Sequence, residues 1–195
     1  IAAAYNTSRL PEHALHTLNE ANRAARAAGV DVDQSPLRLI RCSVLIRLGL
    51  FAEAAAEYRA LETISARAPP LEQARASSGL ALLARLEGRA TDAVTAANSA
   101  IASAEKLPLM VTTRASARSE LGLALLEAGD LAAADGVLRT SRAEWSEGQV
   151  GPSPYVLDVE LGLARVALSQ GKRAEAVALL DEALKYWREV NPTGL

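Results

Sequence analysis

The chain has 195 residues, a formal charge of −2 and a pI near 5.8. That balance excludes general nucleic-acid binding, which needs a concentrated basic footprint, and no block of like charges forms an acidic or basic tail. A single cysteine excludes an internal disulfide and favours a reducing, cytoplasmic setting, and no apolar run approaches the ~20 residues of a membrane span.

Alanine supplies about a fifth of the residues and aromatics only 4%. Small side chains of high helix propensity suit helices that approach closely, whereas period-two runs of β-branched residues are scarce. The expected fold is all-α. Helices are predicted over about 9–29, 35–48, 51–68, 70–87, 90–106, 109–128, 131–147, 154–170 and 173–190. The first break falls at Gly29. Ser35-Pro36 then reads as an N-cap with proline in the first turn, and Ser153-Pro154 repeats that signal. Pro69-Pro70, Pro108 and Gly148 through Pro152 mark the other breaks between hairpins. Inside a hairpin the turn is a glycine. Upstream of Gly129 lies Leu121 to Ala128, a strong helix former; downstream, Leu131, Ala134, Leu138 and Ser141 recur on one helical face. Glycine ends the first helix because the position after it needs positive φ, and Asp130 offers an N-cap oxygen to the second.

This unit recurs. Gly49 with Ala54, Gly88 with Ala93, Gly129 with Ala134 and Gly171 with Ala176 share one spacing, and Arg9 with Ala14 is a fifth copy. The five alanines stand 40, 39, 41 and 42 residues apart, and a small residue there suits the crossing of two helices. The string Gly171-Lys172-Arg173-Ala174-Glu175-Ala176-Val177, with Leu180, Ala183 and Leu184 behind it, resembles the second-helix signature of a tetratricopeptide repeat. Leu48 through Ala54, with Tyr58 and Leu61, resembles it again, and Leu121-Gly122 and Leu163-Ala164 resemble the first-helix signature. The period near 40 departs from the usual 34, and the early first-helix Trp is missing.

The resemblance implies an α-solenoid of stacked antiparallel helix hairpins, wound as a right-handed superhelix. It implies one repeat domain over 1–195, with a partial repeat over 1–29 and full repeats over 35–68, 70–106, 109–147 and 154–190. Ile1-Ala2 and Tyr5 fit the end of a first helix, and nothing after Asn191-Pro192 supplies a polar cap, so the expectation is a fragment of a longer protein.

Residues that carry chemistry are few. His13 and His16 are three apart on one helix with no third ligand in view, so they read as surface histidines, and no metal or cofactor is expected. Cys42 stands where other repeats have Gly122 and Ala164, and reads as a packing thiol. No glycine loop has phosphate-binding spacing, and no Cys–His or Ser–His pair is available, so the segment is not expected to be an enzyme. Asn6-Thr7-Ser8 matches a glycosylation sequon by chance. Trp145, Tyr155, Tyr186 and Trp187 cluster in the last hairpins as packing rings, with Trp187 the best partner contact among them.

Tetratricopeptide proteins bind peptides or protein segments in a groove lined by their first helices. By resemblance the groove positions are Leu39, Ser43 and Arg47; Ser78, Leu82 and Arg85; Ser119, Leu123 and Glu127; and Leu161, Arg165 and Ser169. The three arginines are expected to anchor a carboxylate or phosphate, so that Arg85→Ala and Arg165→Ala weaken binding without lowering the melting temperature. The implied function is a protein-binding scaffold or sensor module, similar to the repeat regions of bacterial signalling kinases or transcription activators. The alternative is an accessory domain of an enzyme whose catalytic part lies elsewhere. Self-association through exposed apolar ends is a further expectation.

Overall fold

The computed structural model describes residues 11–29, 34–65, 69–148 and 154–190. Among them are nine α-helices: α1 (Pro11–Ala27), α2 (Gln34–Arg47), α3 (Phe51–Ser65), α4 (Pro70–Leu86), α5 (Ala90–Ala104), α6 (Val111–Glu127), α7 (Leu131–Glu147), α8 (Pro154–Ser169) and α9 (Arg173–Val190). No strand occurs among the described residues. The partial first helix expected before Arg9, the sequon at Asn6 and the segment from Asn191 lie outside them. One boundary difference is at α6, which starts at Val111 rather than near 109. Leu107 N–H instead donates to Ala104 O and Met110 N–H to Leu107 O, and this turn leaves Leu109 in solvent.

The glycine turns have one construction. Gly49, Gly88, Gly129 and Gly171 all have φ between 72° and 86°, the left-handed conformation that side chains resist. Leu50 N–H donates to Leu45 O at 2.9 Å and Gly49 N–H to Ile46 O at 3.0 Å, which satisfies two end carbonyls of α2. The pair Asp130 to Leu125 and Gly129 to Leu126 does the same for α6. Asp130 also accepts from Ala133 N–H at 3.1 Å, the one side-chain cap that the sequence advertised within a hairpin.

Beyond each turn the expected crossing alanine is sealed: Ala14, Ala54, Ala93, Ala134 and Ala176 have no exposed surface. α3, α5 and α7 each pack on their own first helix and on the first helix of the next hairpin, α4, α6 and α8, and α1 packs on α2 in the same way. The residue four after the crossing alanine meets the residue nine before the next turn glycine, two large residues at the first junction, Leu18 and Ile40, and a large residue on a glycine at two others. A Cβ on Gly79 would stand 2.1 Å from the Tyr58 ring, and one on Gly162 3.1 Å from Leu138 Cδ1. Between them the pair is reversed: Ala97 is small and Glu120 is large.

Ion pairs tie neighbouring helices, two sets within hairpins and one between them. Arg38 and Arg41 of α2 reach Glu57 of α3 at 2.8 and 3.2 Å. Arg114 and Arg118 of α6 reach Glu144 of α7 at 3.2 and 2.5 Å. In the last junction the polarity flips, with Glu160 of α8 against Arg142 of α7 at 2.6 Å.

Candidate functional site

Successive first helices touch, α2 with α4, α4 with α6 and α6 with α8, whereas among the described residues no second helix contacts another second helix. The row of first helices is therefore the inner, concave side of the stack, and any groove lies along it.

The expected groove residues divide into three groups along this row. Arg47, Glu127, Leu161, Arg165 and Ser169 are exposed, while Leu39, Ser43, Ser78 and Leu82 are half-buried. Ser43 donates its hydroxyl to Ile40 O at 2.8 Å. Ser119 and Leu123 are buried, contrary to the groove reading. The Ser119 hydroxyl lies 2.9 Å from Ala115 O and 2.8 Å from Ser141 Oγ, and accepts from the Trp145 indole N–H at 3.1 Å. Leu123 is covered because α8 has a glycine where it crosses: a Cβ on Gly162 would lie 2.9 Å from Leu123 Cδ2. Both residues hold helices together and do not face a ligand.

Arg85 is the other correction. Arg47, Glu127 and Ser169 stand two residues before their turn glycines, but Arg85 stands three before Gly88, level with Ile46 and Leu126. One step around the helix turns it from the groove toward α6. Its side chain is 13% exposed, with Nη1 3.5 Å from Glu120 Oε2 and Nε 3.6 Å from Glu127 Oε1. Asp158 of α8 adds its field to the same guanidinium. One cation is thus shared by three carboxylates, and Arg85 is no anion anchor. Removing it would leave Glu120 without a counter-charge, so Arg85→Ala is now expected to lower stability.

Burial pushes the Glu120 carboxyl up to about 7; Arg85 opposes the rise, and Asp158 and Glu127 add to it. The Asp158 carboxyl is raised by burial too, again against Arg85. Neither residue was singled out from sequence. The available signal was the repeat alignment itself, in which Glu120 occupies the position of Gly79 and Gly162.

Elsewhere the chemistry is structural. Cys42 is buried, and desolvation first, with Glu57 assisting, pushes its thiol up to about 12. His16 pairs with Glu20 at 3.3 Å in solvent. Among the described residues no three His, Cys, Asp or Glu side chains gather as a metal site would require. A surface pocket of about 290 Å³ lies between Arg38, Arg41, Leu45, Glu53, Ala56 and Glu57, but Glu57 already pairs with both guanidiniums. Trp145 is buried and stacked on Tyr155 of α8 at 5.7 Å, whereas Trp187 is 43% exposed. No helix among the described residues is long and apolar enough to cross a membrane.

No protein-family model matches the chain, and no curated protein matches it. Solved structures do. Nearly identical TPR-like repeats of a Podosopora anserina protein of the kinesin light chain kind match with a TM-score of 0.67 at 18% identity, covering 98% of this chain and 93% of that one. BtubC (BKLC) from P. vanneervenii matches at 0.65 and 20% identity, covering 94% of this chain and 73% of that one. MamA matches at 0.57 and 18% identity, covering 97% and 95%. In fold, the chain is a TPR-like helical-repeat solenoid.

Proposed function

We propose that the chain is a protein- or peptide-binding scaffold whose working surface is the concave row of first helices, and that it serves a larger bacterial signalling or regulatory protein. The observation that supports this reading is the contact pattern, in which α2, α4, α6 and α8 line one continuous inner face. That face offers a mixed surface suited to a peptide: Leu82 and Leu161 for apolar side chains, Ser169 for hydrogen bonds, and charges that select. At its centre Glu120, Glu127 and Asp158 outnumber Arg85, so the segment it takes carries a basic residue there, with Arg47 and Arg165 meeting acidic or carboxylate groups toward either end.

The test is to pan a displayed random-peptide library on the protein and measure the selected peptides against variants. Peptides rich in Lys or Arg are expected, and Glu127→Lys with Asp158→Lys should weaken them at least tenfold, about 1.4 kcal/mol. Arg165→Ala should weaken peptides that carry an acidic end. Selected peptides indifferent to all three changes would dispose of the concave face as the working surface. The regulatory setting draws on the period near 40 and on the excess of arginine over lysine, and the flanking reading frame tests it. A kinase or an ATPase with a DNA-binding domain supports it; a metabolic enzyme overturns it.

A further inference from the structure

The residue two before the turn glycine stands in the last turn of each first helix, and it is exposed in all four hairpins: Arg47 on α2, Leu86 on α4, Glu127 on α6 and Ser169 on α8. Leu86, not Arg85, is therefore the α4 member of this row. It is 47% exposed, with Leu82 half-buried one turn earlier on the same side of the helix. A single exposed leucine carries no meaning by itself. This one stands in register between a cation on one neighbouring helix and an anion on the other. Glu127 shares Arg85 with Glu120 and Asp158, so the anionic side stays under-neutralised.

The spacing of the row selects the conformation of what lies along it. Each first helix is followed by one antiparallel return, so α2, α4 and α6 run the same way and equivalent positions sit side by side. Helices in contact are about 8–10 Å apart. A polyproline II segment has three residues per turn and rises about 3.1 Å per residue, about 9 Å per turn, so every third side chain falls on one face at the spacing of the row. A β-strand fits less well, because its side chains alternate and residues three apart point to opposite faces. Among the described residues there is also no strand edge to pair with one. A helical ligand would need seven residues for each step and a continuous apolar stripe to receive it, whereas here Leu82 and Leu86 are flanked by charge.

We propose that the concave row takes a polyproline II segment of a partner protein, in which an acidic residue on Arg47, an apolar residue on Leu86 and a basic residue beside Glu127 stand three apart. This rests on the concave-face reading and adds to it the order, spacing and backbone conformation of the ligand.

The probes are fluorescein-labelled peptides, Glu-Pro-Pro-Leu-Pro-Pro-Arg and the reversed sequence, titrated with the intact chain and followed by anisotropy; two are used because the row can be read in either chain direction. One of them should saturate below about 1 mM and bind at least tenfold tighter than Pro-Pro-Glu-Leu-Arg-Pro-Pro, which has the same composition with the three contacts adjacent. Leu86→Ser should weaken it at least tenfold while the helical circular dichroism is kept. Arg47→Glu should abolish binding and regain it with a peptide whose acidic residue is exchanged for arginine, a rescue that a merely structural role would not give. Saturation by neither spaced peptide, or equal binding by the clustered one, overturns the proposal. So does tighter binding by a 15-residue helical peptide carrying the same three residues seven apart. If peptides selected by panning depend on Glu127 and Asp158 but not on Leu86, this order of contacts falls and the concave face stands; if they depend on none of the three, both fall.

Discussion

Replacing Gly79 and Gly136 separately by alanine applies the same chemical change to two helix interiors with opposite surroundings. Propensity alone favours alanine at both sites by about 1 kcal/mol. Gly136 on α7 is exposed, and a Cβ there would meet nothing within 4 Å, so Gly136→Ala should stabilise by nearly that amount. At Gly79 the new Cβ would stand 2.1 Å from two ring carbons of Tyr58 and 2.5 Å from its hydroxyl oxygen. Carbon atoms pack at about 3.5–4.0 Å, so ring or helix must retreat by roughly 1.5 Å. The ring is packed among Leu61, Ala76 and Leu83 and nearly closed to solvent. Overpacking of this kind costs about 1–3 kcal/mol, and at the upper end it exceeds the propensity gain, leaving Gly79→Ala less stable by about 1–2 kcal/mol. For a chain of this length each kcal/mol moves the melting temperature by about 2–4 °C. Thermal and urea denaturation followed by helical circular dichroism should therefore shift in opposite directions for the two variants. In a Tyr58→Leu background the Gly79→Ala penalty should shrink by more than about 0.5 kcal/mol, the coupling expected of side chains in contact. A Gly79→Ala protein as stable as the parent would refute the close helix approach on which the repeat packing rests.

Three other outcomes follow from buried groups. Arg142→Ala strands Glu160, which is 1% exposed and has one oxygen already without a partner; because the Arg142 side chain is 40% exposed, urea denaturation at pH 7 should show a loss of about 2–3 kcal/mol, short of a fully buried pair. That loss should diminish at pH 5, since burial already raises the Glu160 carboxyl and a protonated acid tolerates the site. Glu120 is held near 7 against an ordinary 4.5, so the folded state binds the extra proton; its contribution is fully present below about 4.5 and is lost as pH rises through 7. Melting temperatures from pH 5 to 8 should accordingly fall more steeply for the parent than for Glu120→Gln, and parallel curves would exclude Glu120 as the source. Cys42, with its thiol pushed up to about 12 in a sealed site, should resist a thiol reagent in the native protein and react once urea unfolds it; stoichiometric labelling within minutes in buffer would contradict its burial.

The hairpins were legible because their determinants are local. A glycine with φ near 72–86° and an alanine five residues later fix a turn and a crossing using a few neighbouring residues, so Gly88 and Ala93 announce themselves in the sequence. The face of a first helix is a different matter, since whether a stripe is open depends on how closely the next hairpin approaches. Ser119 and Leu123 share a stripe with Glu127, but Ser141 and Trp145 of α7 cover the first, α8 at Gly162 covers the second, and Glu127 stays exposed. Arg85 was misplaced for a smaller reason: one residue of register is about 100° of rotation on a helix, enough to turn a guanidinium from a groove into a carboxylate cluster.

The same junction position that decides packing also decides where this solenoid is charged. Gly79 and Gly162 admit Tyr58 and Leu138 from the preceding second helix, giving two tightly closed junctions. At the middle junction the equivalent positions hold Ala97 and Glu120, and Arg85 partly neutralises the Glu120 carboxylate. A buried acid is a poor choice for stability alone, because an apolar side chain of similar volume would avoid the desolvation. Its place at the centre of the concave row, with Glu127 and Asp158 beside it, sets an acidic field where a peptide would lie. Replacing Ala97 and Glu120 together by Leu and Gly would copy the flanking junctions. If charge at this position serves recognition, that double variant should be more stable than the parent and bind basic peptides less tightly. If it serves packing alone, stability should fall and peptide affinity should stay the same.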